Sequence, residues 1–285
     1  NVVVRGASFT DLFYGPKQEA EPAYASQSYN NRIENSSFTI NRKYHLIGMD
    51  SYALNAAEGK VGDTFIVKNS TFNFFTDTYG TFVVRTCTDR VRFENCKLNI
   101  NLKKQTDGSS PYCIMSIFAA LATKATSPKV ELVNTDIEIN GAASSSAGRI
   151  SNPFAYLFSK IGAKSYSVSL NQCNIHGTAR VDWSLFEQME SVSISNSQIS
   201  IGGCDYHGYY INAPKRLQIT GTTFTGRLGK YNTLVGVPNV KDYSHSIDNT
   251  TVDASVSKLF TTSSDRRHTR ITNVRNRTTN RPITK

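Results

Sequence analysis

Apolar and polar residues alternate along this chain in short runs, and the runs repeat. Ile33-Glu34-Asn35-Ser36-Ser37-Phe38 aligns with Val67-Lys68-Asn69-Ser70-Thr71-Phe72 and with Phe93-Glu94-Asn95-Cys96-Lys97-Leu98. The same pattern returns from Leu132 to Ile137, Leu170 to Ile175, Ile194 to Ile199, Ile219 to Phe224 and Ile247 to Val252. Weaker copies sit at Val4 to Phe9 and around Ile271 to Asn273. The pattern reads apolar, any, Asn, small polar, any, apolar, with the Asn-equivalent positions 24 to 39 residues apart. Alternation with a period of two predicts half-buried strands on each side of the Asn. Asn tolerates the left-handed backbone of a sharp bend, and Gly221 replaces it without steric cost. Internal repetition at such a period predicts stacked coils rather than a globular sandwich.

A third strand completes each coil. Aromatic and aliphatic runs follow each motif after a variable loop: Phe82 to Val84, Ile114 to Phe118, Phe154 to Phe158, Trp183 to Phe186, Tyr209 to Ile211, Leu234-Val235 and Leu259-Phe260. Three strands per coil, stacked in parallel, predict an all-β right-handed parallel β-helix (a solenoid) of about ten coils, its bends lined by an asparagine ladder. Residues 1–262 are read as the β-helix and residues 263–285 as a basic last coil or tail. An antiparallel sandwich would also supply frequent short strands, but not the same Asn at the same point in nearly every repeat.

Composition narrows the picture. The formal net charge is +10, and the stretch from Asp265 to Lys285, with seven basic residues against one acid, holds +6 of it. That stretch is expected to be a solvated, partly frayed terminus. No apolar run approaches the roughly 18 residues of a membrane span, so no membrane insertion is expected. The five cysteines show no CxxC pair. Cys96 and Cys173 fall at one position of the repeat, which suits small buried residues better than a disulfide or a zinc site. The five histidines are scattered, and no cofactor or metal is expected. The start at Asn1, straight into Val2-Val3-Val4, suggests a fragment or processed product.

The stacked Asn after the second strand resembles the asparagine ladder of pectate-lyase-like β-helix proteins, over nearly the whole chain. Within that superfamily, the Asn/Ser/Thr-rich, irregularly looped coils look most like a bacteriophage tailspike or receptor-binding protein. The resemblance implies a virion (phage tail) or extracellular location and a bacterial surface polysaccharide as partner. A homotrimer is expected because a β-helix exposes long apolar side faces that parallel subunits can cover, and nucleic acid, for which only the Arg-rich tail speaks, is not expected as a partner. The resemblance implies binding, and by extension cleavage, of capsule or lipopolysaccharide by a depolymerase of hydrolase or lyase type. A non-enzymatic virion fibre or adhesion module and a secreted polysaccharide lyase or epimerase are the alternatives. It further implies that the carbohydrate groove follows the outer face of the aromatic and aliphatic strands.

On those strands acids are scarce. The coil from Arg180 to Glu190 carries Asp182, Glu187 and Glu190 beside the only tryptophan, Trp183, and the next variable loop offers Asp205. Glycoside hydrolysis uses two carboxylates roughly 5 to 10 Å apart, a distance that neighbouring coils about 4.8 Å apart can supply. Asp182, Glu187 and Asp205 are therefore the expected catalytic residues. Trp183, Tyr156, Lys160, Arg180 and Tyr209 are expected to bind substrate, rings against the apolar sugar face and polar groups on hydroxyls. Aligning Leu157-Phe158 with Leu185-Phe186 sets Tyr156 over Ser184.

Overall fold

Each copy of the motif folds as two strands separated by a bend, and the bend residue carries positive φ. Asn35, Asn69, Asn95, Asn134, Gln172, Asn196, Gly221, Asn249 and Asn273 all have φ between 44° and 58°. The computed structural model describes residues 3–7, 30–42, 47–49, 64–76, 81–86, 90–102, 114–120, 129–143, 150–151, 154–160, 166–203, 209–228, 232–261 and 267–283. Among them there is no helix. The strands on either side of the bends form one 17-stranded sheet, and the third strands form a separate nine-stranded sheet. Apart from one short antiparallel pair, Ala142–Ala143 with Ile150–Ser151, the strands within these sheets pair in parallel with the coils before and after them. The architecture is a parallel β-helix.

The bends are held by two sets of hydrogen bonds. From Asn35 to Gly221 the backbone N–H of the bend residue donates to a carbonyl in the next coil: Asn35 to Lys68 O at 3.1 Å, Asn134 to Asn171 O at 2.9 Å, Asn196 to Thr220 O at 2.9 Å. The side-chain amides form the ladder. Asn69 Nδ2 donates to Asn35 Oδ1 (3.2 Å), Asn95 to Asn69 (3.2 Å), Asn134 to Asn95 (2.8 Å) and Asn273 to Asn249 (2.6 Å). Gly221 has no amide to offer, and Asn249 turns its Nδ2 to Asp248 Oδ2 instead (3.0 Å).

Inside the bend, the small residue is buried at every described rung from Ser36 to Thr250. Ser36, Ser70, Cys96, Thr135, Cys173, Ser197, Thr222 and Thr250 each donate to the carbonyl two residues back, at 2.7 to 3.4 Å. A buried hydroxyl or thiol thereby finds a partner without leaving the core. This is why Cys96 and Cys173 share the position with Ser and Thr, and both are free thiols.

The core runs along the axis. Phe118, Phe158 and Phe186 stack coil on coil, with centroids 4.9 and 5.1 Å apart and planes within 13° and 8°. That spacing matches the strand separation, so identical rings in register gain offset-stacked contact at no cost in geometry.

One expectation changes. The first motif copy is out of register, because Val3–Ala7 pairs with the strand after the bend, Val4 facing Phe38. Val4 therefore takes the place of the final apolar residue of the motif, not the first. A run of valines has the period of a strand but no bend residue to say which strand it is. In the basic C-terminal stretch the described residues run from 267 to 283. Thr269–Asn276 is a strand in parallel register with Ser244–Val252, and the chain then folds back, with Ile283 N–H donating to Val274 O at 2.9 Å.

Candidate functional site

The strand Arg180–Glu187 lies in the nine-stranded sheet between Phe154–Lys160 and Tyr209–Asn212. A tight corner sets its start. Gly177 has φ +132°, and a Cβ there would meet Ile139 O at 2.1 Å, so only glycine brings the chain close enough to enter this strand. Tyr156 faces Ser184 and Phe158 faces Phe186, as the alignment of Leu157-Phe158 with Leu185-Phe186 predicts, and on the other side Glu187 faces Asn212.

The strand contains a bulge. Phe154 pairs with Val181 and Tyr156 with Ser184, so two steps on one strand oppose three on the other. The extra residue falls at Asp182-Trp183, and a bulge re-aims side chains in this way. Asp182 is buried, at 4% exposure, and accepts from Arg180 Nη2 at 2.9 Å. Trp183 stays half-buried, its ring 5.7 Å from that of Tyr156 and tilted by 58°. Tyr156 itself is buried.

Glu187 is half-buried at the other end of the strand. Its charge reaches the fully buried phenol of Tyr166. Burial raises the Tyr166 pKa well above the ordinary phenol value, and the Glu187 carboxylate raises it further. Tyr209, one coil on, is half-buried with its ring laid against Gly236, where a Cβ would come within 2.7 Å of Tyr209 Cδ2. Lys160 closes the strand Phe154–Lys160, in register with Ala120. Asp205 lies outside the described residues.

Thus Arg180, Asp182, Trp183 and Glu187 share one strand, Tyr156 meets Trp183 from the coil before, and Tyr209 lies on the coil after. The face is more closed than a simple groove. Phe154 through Ser159 are all buried, so alternation is lost and both sides of that strand are covered. An extended chain rises about 3.3 Å per residue, which sets Asp182 and Glu187 roughly 15 Å apart. A two-carboxylate reaction here takes its second acid from another coil.

A second left-handed corner escaped the sequence reading. Gln188 (φ 47°) and Ala213 (φ 44°) turn the chain out of the third strands, and their N–H groups donate to Asn212 O (2.9 Å) and Gly236 O (3.0 Å). Gln and Ala carry no local signal for positive φ, so only the recurrence of apolar-any-bend could have marked them.

Other polar residues belong to the fold. Asp136 accepts from Asn174 Nδ2 at 2.8 Å and pairs with His176 Nε2 at 3.0 Å. Among the described residues, no three His, Cys, Asp or Glu side chains gather as a metal-holding group. No family model matches the chain, and neither does any curated protein or solved structure.

Proposed function

We propose that this β-helix binds a bacterial surface polysaccharide, capsule or lipopolysaccharide, as the receptor-binding domain of a tailspike-type protein. The observation that carries the reading is the bulged strand Arg180–Glu187. It keeps Trp183 half-exposed against Tyr156 and leaves Arg180 and Glu187 partly open on the same strand. A ring on a strand that also carries polar groups suits a sugar's apolar face and, further along an oligosaccharide, its hydroxyls. A parallel trimer carried on a virion fits the same reading, since a solenoid presents long side faces that parallel copies can cover. Sedimentation of the full chain at three times the protomer mass supports the trimer, and a monomer removes it.

Binding is tested with a panel of purified surface polysaccharides. Trp183→Ala is expected to weaken capture at least 10-fold while the circular dichroism spectrum stays unchanged. Equal capture by the variant overturns the site. Cleavage is the second reading, and it rests on Glu187 acting with an acid from the next coil, for which Asp205 is the candidate. Asp182, held by Arg180, then orients the strand. Release of oligosaccharide that Glu187→Gln abolishes, with binding retained, identifies a depolymerase; binding without any product identifies an adhesion module.

A further inference from the structure

Beyond the strand Arg180–Glu187 the chain turns at Gln188 and enters a corner that contains a cavity of about 420 Å³. This lies within the roughly 300–1,000 Å³ of small-ligand sites. Glu190, Lys215, Arg216, Lys241, Asp242 and Tyr243 supply its chemistry. Three successive coils build it, locked by backbone bonds from Arg216 N to Glu190 O (3.0 Å) and from Ser244 N to Lys215 O (2.9 Å).

We infer that this corner cavity is a subsite for a carboxylate-bearing sugar. The inference rests on the glycan-binding reading and adds the class of polysaccharide, an acidic one.

The decisive residue is Arg216. It occupies the same outer column of the sheet as Arg90 and Lys129. Those two cations, with Arg92, converge on Glu131 at 2.5, 2.6 and 3.8 Å, so each has a carboxylate partner within the sheet and their charge is partly offset. Arg216 stands instead between Ser191 and Ser244 in register, and its side chain has no ion pair among the described residues. Two small neighbours leave open space on both sides of an exposed guanidinium. Such a fork binds a carboxylate through two parallel hydrogen bonds.

The rest of the cavity suits the remainder of a sugar. Glu190 is already engaged by Lys215 at 3.0 Å, so its repulsion of an anion is offset. Lys241 and Asp242 are exposed at the rim, and Ser244 offers a hydroxyl, a set that can exchange hydrogen bonds with ring hydroxyls. Val240, 45% exposed, provides an apolar contact for a ring face. Tyr243 is held rigidly, its ring 5.0 Å from both His245 and His268, so the wall is preorganised.

The test uses the full chain with glucuronate and short alginate oligomers as probes, and glucose and dextran oligomers as neutral controls. Amide shifts are followed by NMR and affinities by calorimetry. The acidic probes are expected to shift amides around Lys215–Arg216 and Lys241–Ser244, to bind at least 10-fold more tightly than the neutral ones, and to weaken as salt is raised. Arg216→Ser, which copies its two neighbours, is expected to abolish that preference without changing the thermal midpoint. Arg216→Lys keeps the charge and is expected to recover only part of it. Equal response to acidic and neutral probes, or full acidic binding by Arg216→Ser, overturns the subsite. Capture of neutral polysaccharide through Trp183 with no response to uronates sinks the subsite alone. Uronate binding at the corner, with no polysaccharide held at Trp183, keeps the subsite and sinks the site on the strand.

Discussion

A left-handed backbone costs an ordinary residue roughly 1–2 kcal/mol, and nine bends in succession place one residue each in that conformation. Asn95 sits mid-ladder, accepting from Asn134 and donating to Asn69. Asn95→Ala is expected to destabilise by about 1–3 kcal/mol, from the φ penalty plus two exposed amide bonds. Asn95→Gly should lose less, since φ is then free, and urea midpoints of the two variants separate the contributions. Buried small residues behave differently. Burial pushes the Cys173 thiol up to about 11 and raises Cys96 as well. Both are expected to resist alkylation in the native protein and to react fully once it is unfolded, as read by mass spectrometry. His245 titrates with the opposite sign. Burial lowers its pKa below 6.5, against the bond its Nε2 makes to the Pro214 carbonyl at 2.8 Å. The unfolded chain therefore takes up this proton at higher pH than the folded one, so the contribution is complete above about pH 6.5 and is lost as pH falls through the folded value. Thermal midpoints are expected to drop from pH 7 to pH 5, and His245→Phe, which keeps the ring over Phe260, should flatten that slope.

At the scale of the element, the outer face of the strands before the bends divides in two. In the coils from Arg90 to Val133 the face is charged and laced with ion pairs; from Ser167 to Ser195 it is mostly serine. Glu131 is the pivot of the charged half. Burial alone would raise its pKa, but the bonds from Lys129 and Arg90 outweigh that and hold it below the usual carboxylate value. Glu131→Gln leaves three cations facing each other and is expected to cost roughly 1–2 kcal/mol, more at low salt, the partners being partly exposed. An unchanged urea midpoint at low ionic strength would contradict this. The pairing was not legible beforehand, because it joins residues in different coils and depends on a register that intervening loops of unequal length conceal. The third strands show the same limit. Their existence and alignment follow from the aromatic runs, whereas the bulge at Asp182-Trp183 and the covering of Phe154 to Ser159 arise from contacts between coils.

At the scale of the whole molecule, the stack of coils leaves strand edges that need cover. Thr269–Asn276 pairs on one side with Ser244–Val252, and the chain then returns so that Arg275 bridges Pro282 antiparallel. Among the described strands Thr269–Asn276 has a parallel partner on one side only, and its exposed Arg270 and Arg275 suit such an edge. Deleting residues 267–285 bares the edge of Ser244–Val252 and is expected to yield aggregates by light scattering; a monodisperse truncated protein would contradict that role. The architecture was legible from one chain because each bend needs a residue that tolerates positive φ and each flanking strand needs alternation. Both are local demands, met again in every coil from Asn35 to Asn273. What local demand cannot carry is whether a charge finds a partner, since that depends on the neighbouring coil. Asp182 is buried against Arg180, while Arg216, flanked by serines, has no ion pair among the described residues. Residue type and period determined the β-helix; stacking register, a tertiary property, decided which polar groups the fold consumes and which it leaves for function.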